Sequence, residues 1–129
     1  LIQMKNFRDL IESEHIYVFD GAMGTRLYEK GIYINRSYDE LNLIAKDLVR
    51  EVHEEYVKAG ADIIQTNTFS ANYNKLQKFG LNGQIRDINI SAVKIARQAA
   101  KENVFVGGTI GPLGLRIEPY GPTSFDEAK

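Results

Sequence analysis

Ile16-Tyr-Val-Phe-Asp20-Gly-Ala-Met-Gly-Thr25 decides how this chain is read: a four-residue apolar body, an acid, then small residues that leave the backbone bare. Its β-branched and aromatic members predict a strand over Ile16–Phe19 buried on both faces. Two later stretches repeat the form. Ala61-Asp-Ile-Ile-Gln-Thr66 runs into Asn67-Thr68, and Val104-Phe-Val-Gly-Gly-Thr109 runs into Ile110-Gly-Pro-Leu-Gly114. Apolar strands with polar or glycine-rich ends are what parallel β/α enzymes arrange around a pocket.

Helical patterns fill the intervals. Phe7, Leu10 and Ile11 give a short amphipathic helix over about 6–14, and Thr25 to Lys30 gives a brief one closed by Gly31. Over Asp47–Ala59, Leu48, Val49, Val52, Tyr56 and Val57 form one stripe, the charged residues lie mainly outside it, and Gly60 supplies the stop. A helix over about 72–79 ends at Gly80. A longer one, about 84–102, carries Ile85, Ile88, Ala92, Ile95, Ala96 and Ala99 on one face. The strands start 45 and 43 positions apart with helices between, which argues for parallel pairing through crossovers. Only three such units fit, whereas an eight-stranded barrel needs about 250 residues. Ser124-Phe-Asp-Glu127 has the form of a capping box opening a further helix. The expectation is therefore an α/β chain of about three βα units, residues 1–129 being an incomplete N-terminal part of a (β/α)8 TIM barrel. Met4 reads as a natural start, with Leu1 to Gln3 a remnant before it.

Composition narrows the function classes. The 129 residues carry 16 basic and 17 acidic side chains spread along the chain, with no basic footprint for nucleic acid. No apolar run approaches the roughly 20 residues that span a bilayer. The charged start is not a signal peptide, and the absence of cysteine excludes disulfides and thiolate metal sites within the chain. A cytoplasmic setting fits these features.

Asp20, at the end of the first strand, is placed to accept hydrogen bonds from a cationic group such as an α-amine. It is equally placed to cap its own loop by accepting from Ala22 or Met23 N–H. Gly21, Ala22, Met23 and Gly24 leave N–H groups accessible to a carboxylate or phosphate, although no dinucleotide fingerprint follows the strand. Thr66, Asn67 and Thr68 set three polar side chains in a row, Thr66 and Thr68 to one side and Asn67 to the other; pocket and turn-capping roles both stand. Phe69 reads as core or pocket wall. Gly107 and Gly108 suggest a close approach or bulge, with Thr109, Gly111 and Gly114 a permissive rim beyond them. The prolines at 112, 119 and 122 mark one long loop, and loops of that length at strand ends are often functional. His15 and His53 both read as surface residues. Glu51, Glu54 and Glu55 read as a solvated helix face. The residues alone lead as far as a binding half of a β/α enzyme site.

Taken together, Asp20–Thr25, Ala59–Phe69 and Gly107–Gly114 resemble the homocysteine S-methyltransferase family, including the homocysteine domains of cobalamin-dependent methionine synthases and of fusions to methylenetetrahydrofolate reductase. The resemblance runs from about Phe7 to Pro122. It implies a (β/α)8 barrel that methylates the homocysteine sulfur to give methionine, with zinc held by three cysteines keeping that sulfur a thiolate. Those cysteines have no counterpart here. By the resemblance, Asp20 and the backbone of Gly21, Ala22 and Met23 hold the amino acid end of homocysteine, and Asn67, Thr68 and Thr109 line the same mouth. Gln65 stands where family members commonly have Glu. The methyl source, cobalamin or a methylated folate, would reach the site through other domains. The isolated piece is expected to be inactive and to self-associate through an exposed barrel edge. Two other readings stay open: part of an aldolase or phosphate-binding isomerase barrel, and a non-catalytic binding module.

Overall fold

The computed structural model describes residues 6–33, 35–102 and 104–129; the reading of Met4 as a start lies outside them. Strands β1 (Ile63–Gln65) and β2 (Phe105–Gly107) pair in parallel, Ile64 opposite Val106. The segment ending at Asp20 lies on the other side of β1, joined by one parallel bridge between Phe19 and Ile63. All three stretches therefore run the same way.

The first stretch is less of a strand than its composition suggests. Val18 N donates to the Asp62 carboxylate at 2.9 Å instead of to a strand carbonyl, and Asp62 N returns a bond to Val18 O at 2.8 Å. The expectation of burial on both faces fails. Ile16 is 84% exposed and Phe19 50%. A hydrogen-bonded neighbour exists only on the β1 side, so the apolar run is not enclosed within these residues.

The helices are α1 (Phe7–Ile11), α2 (Met23–Glu29), α3 (Leu41–Ile44), α4 (Lys46–Ala59), α5 (Tyr73–Leu76) and α6 (Ile85–Ala100). Asn6 and Asp9 form a reciprocal capping box on α1. On α4, Val49 and Val52 turn inward, and Gly60 ends the helix at φ 103°, a left-handed conformation that any Cβ disfavours. The expected helix over 72–79 is α5, capped by Asn72, followed by a tighter turn at Gln77–Phe79. The Ser124–Glu127 box forms, Glu127 N donating to Ser124 Oγ at 3.2 Å, and it supports a single turn.

Three apolar clusters hold these parts together. Leu27, Leu41, Val49, Val52 and Ile95 join four helices; Ile64 packs on Ala96, Ala99 and Ala100; Leu76, Leu81 and Ile88 tie α5 to α6. The small residues of α6 bring it close to β1, as their spacing implied. Across the outer side, Glu55 accepts from Arg26 at 2.7 Å and Lys30 at 2.6 Å, and Glu51 from Lys30 at 2.7 Å. Glu51 and Glu55 thus bridge α4 to α2 as well as facing solvent.

Two further expectations are corrected. His53 is fully buried, and neither ring nitrogen has a hydrogen-bond partner among the described residues. It follows Val49 by four and Val52 by one, so it shares their face, while acidic Glu54 and Glu55 point elsewhere. Gly107 and Gly108 are not sites of close approach: a Cβ on Gly107 would come no nearer than 4.0 Å to a neighbour, and one on Gly108 would meet nothing within 4 Å. Of the glycines next to β2, the tight crossing lies at Gly111, where a Cβ would overlap the Phe69 carbonyl; Gly121, further along the loop, is similarly close to Arg116. No helix among the described residues is long and apolar enough to cross a membrane.

Candidate functional site

Parallel pairing puts the three strand ends at one edge, and a cavity of about 510 Å³ opens there. Its wall comprises Asp20 to Thr25, Arg36 to Asp39, Gln65 to Ser70, Phe79 and Thr109. That volume is typical of small-molecule sites.

Asp20 does not cap its own loop. Its Oδ2 accepts from Gln65 N at 2.9 Å and its Oδ1 faces Gln65 Nε2 at 3.3 Å, tying the first strand end to the second. Burial raises its pKa above the ordinary carboxylate value, against the Gln65 hydrogen bonds that lower it. Gln65 is thus a neutral partner that steadies the carboxylate; an acid in its place would meet Asp20 as a like charge.

Beyond Asp20 the chain enters α2 with Ala22 as its N-cap, and no side chain caps the helix. Among the described residues the Gly21, Ala22 and Met23 N–H groups have no protein acceptor. The loop is held from behind by Tyr56, whose hydroxyl donates to Ala22 O at 2.9 Å. The result is a fixed loop with free donors, which suits an anionic group.

The Thr66-Asn-Thr68 tip divides as alternation requires. Thr66 and Thr68 hydroxyls lie 2.8 Å apart, Thr68 Oγ1 donates to Thr109 O at 2.7 Å, and Thr109 N donates to Thr66 Oγ1 at 3.0 Å. Asn67 turns the other way, its Nδ2 donating to Tyr38 O at 2.8 Å. These buried side chains stitch separate strand ends and loops together, only the Thr66–Thr68 contact being local to the turn, and they also border the cavity. The Thr109 hydroxyl is the exception, buried with no partner among the described residues. Phe69 is pocket wall and not core, 58% exposed with Lys75 Nζ 5.1 Å from its ring centre.

Arg36 to Asp39 line the cavity, with Asn42 supporting them from behind, without having been singled out in the sequence. Asp39, buried, accepts from Ser70 N at 3.0 Å, and Asn42 Nδ2 donates to Asp39 O at 2.8 Å and Asn67 O at 2.7 Å. Burial raises the Asp39 pKa, with Ser70 N–H opposing. Ser37 and Asp39 ahead of Leu41-Asn-Leu are a helix-start signal, but α3 is too short for periodicity to register.

Among the described residues no three His, Cys, Asp or Glu side chains gather to hold a metal. His15 is exposed, edge-on to Tyr17 at 4.7 Å.

Parallel strands with a polar, donor-rich mouth at one edge and helices packed on the sheet define an α/β unit with a cavity of small-molecule size at its strand ends. Residues 17–129 match the family model for homocysteine S-methyltransferases. The chain belongs to the homocysteine S-methyltransferase family. It is 32% identical to the methionine synthase of Mycobacterium leprae and to that of Mycobacterium tuberculosis, over 91% of its own length and 11% of theirs. It superposes on the metallated homocysteine methyltransferase MmuM of Escherichia coli with a TM-score of 0.72 at 28% identity, covering 84% of this chain and 42% of that one. The oxidised form gives the same score. The chain thus spans about a tenth of the methionine synthases and under half of the E. coli enzyme.

Proposed function

We propose that this chain is the N-terminal portion, about three βα units, of a (β/α)8 barrel that binds homocysteine, in a cytoplasmic enzyme that methylates its sulfur to give methionine. The observation that carries this reading is the pairing of Asp20 with free amides at Gly21, Ala22 and Met23 on one cavity wall. An α-amino acid offers the complementary pair, an ammonium for Asp20 and a carboxylate for the amides. Asn67, Thr68 and Thr109 border the same mouth, and Phe69 and Phe79 supply apolar surface for the thiol-bearing chain.

Zinc, when bound in such an enzyme, holds the sulfur as a thiolate. The residues of this chain do not fit that role, having no cysteine and, among those described, no cluster of metal ligands. We assign the metal to polypeptide outside this chain, and the methyl source, cobalamin or a methylated folate, to other domains. As an isolated piece the chain is expected to bind no zinc, transfer no methyl group and associate through the exposed Ile16–Phe19 edge. Stoichiometric zinc in the purified piece would contradict this.

The test is homocysteine affinity of the zinc-loaded whole protein with Asp20→Ala. Loss of a charge-assisted hydrogen bond predicts roughly 10- to 100-fold weaker binding. Because burial raises the Asp20 pKa and only the ionised form attracts an ammonium, wild-type affinity should fall as pH drops through that raised value. Unchanged affinity in the variant removes Asp20 from the site.

A further inference from the structure

Among the described residues, Arg36 is the only cationic side chain on the wall of the cavity, which also carries the acids Asp20 and Asp39. The two acids differ in what they have left to offer. Asp39 is buried and committed, accepting from Ser70 N at 3.0 Å with Ser37 Oγ 3.4 Å from its other oxygen. Asp20 is half-buried, and among the described residues its carboxylate bonds to no other residue than Gln65. Arg36 is exposed, and among the described residues it forms no ion pair and no side-chain hydrogen bond. Most other arginines of the neighbourhood are spoken for: Arg26 meets Glu29 and Glu55, and Arg50 meets Asp47 and Glu54.

The backbone under Arg36 is fixed. Immediately after it, Tyr38 O accepts from Asn67 Nδ2 at 2.8 Å, and the Asp39 carboxylate accepts from Ser70 N. The loop that bears the guanidinium is therefore sewn to the tip of the strand whose first tip residue, Gln65, holds Asp20. A free cation and an available carboxylate on separately anchored loops of one cavity form a two-charge recognition set. A guanidinium is suited to a carboxylate because its planar fork presents paired donors.

We propose that Arg36 is a specificity-determining residue that engages the α-carboxylate of the substrate, so that with Asp20 it selects a zwitterionic amino acid over thiols bearing one charge. This rests on the reading of the cavity as a homocysteine site. The Gly21 to Met23 amides then share the carboxylate with Arg36, and Asp20 keeps the ammonium.

The experiment compares three ligands in the whole protein: homocysteine, the aminothiol lacking the carboxylate, and the mercapto acid lacking the amine. Arg36→Gln is expected to weaken homocysteine and the mercapto acid roughly 10- to 100-fold, leaving the aminothiol unchanged. Arg36→Lys should recover part of the loss, since charge returns without the fork. Turnover at saturating homocysteine should be little altered, so that the effect falls on KM. Melting temperatures within a degree or two (~1–2 °C) of wild type would show intact folding, as for an exposed side chain. Equal loss for all three ligands, or no loss for homocysteine, overturns the role of Arg36 and leaves the site reading standing. Failure of the wild-type protein to bind homocysteine overturns the site reading itself, and this inference with it.

Discussion

His53 gives the sharpest physical prediction of the fold. Its ring is fully buried on α4 with both nitrogens unpartnered, and burial lowers its pKa from 6.5 to about 4. Between those values the unfolded chain binds a proton that the folded chain refuses. Stability is therefore complete above about pH 6.5, declines as pH falls, and levels off below about pH 4. At about 1.4 kcal/mol per pH unit, the full loss is about 3 kcal/mol. Replacing His53 with Leu removes the titration and two unsatisfied polar atoms, so His53→Leu should be at least as stable as wild type near neutrality. The chain has no tryptophan, and hydrogen exchange of the α4 amides in the whole protein supplies the local readout, corrected for the intrinsic effect of pH. From about pH 7.5 to 4.5, wild type should lose about 2–3 kcal/mol more protection than the variant. Equal acid losses in the two proteins would refute the reasoning. So would a loss well above about 2 kcal/mol for the variant at neutral pH, because it would mean the ring nitrogens are hydrogen-bonded.

Three other substitutions probe the strand ends. Gly111→Ala forces a methyl group into the Phe69 carbonyl, and denaturant unfolding should show about 1–3 kcal/mol of destabilisation, whereas Gly108→Ala, with open space around it, should show much less. Thr68→Val leaves Thr109 O without its donor and should cost about 1–3 kcal/mol, read by the same unfolding measurement.

The strand ends were legible because their signals are local. Apolar runs ending in Asp20, in Thr66-Asn-Thr68 and in Gly107-Gly-Thr109 lie parallel, and the alternation that separates Asn67 from the two threonines is observed. Burial was less legible. Ile16 and Val18 look like a central strand in composition, but their exposure depends on which neighbours are present, and composition carries no such information. His53 reads as exposed for the opposite reason: the charges adjacent to it in sequence lie on other faces of the helix, while Val49, one turn earlier, sets the face it shares. The Arg36–Asn42 segment escaped notice because its fold depends on long-range bonds to Asn67 and Ser70 rather than on any repeat of its own. Gly111, not Gly107, marks the close crossing because the loop beyond β2 doubles over Phe69, a relation between distant residues.

The central claim is that the ends of these parallel segments hold an amino acid by its two charges. A crystal structure of the whole protein with zinc and homocysteine tests it most directly. The account predicts the ligand ammonium within hydrogen-bonding distance of Asp20, and its carboxylate at the Gly21 to Met23 amides with Arg36 beside them. Homocysteine bound with its amino acid end away from Asp20 would contradict it.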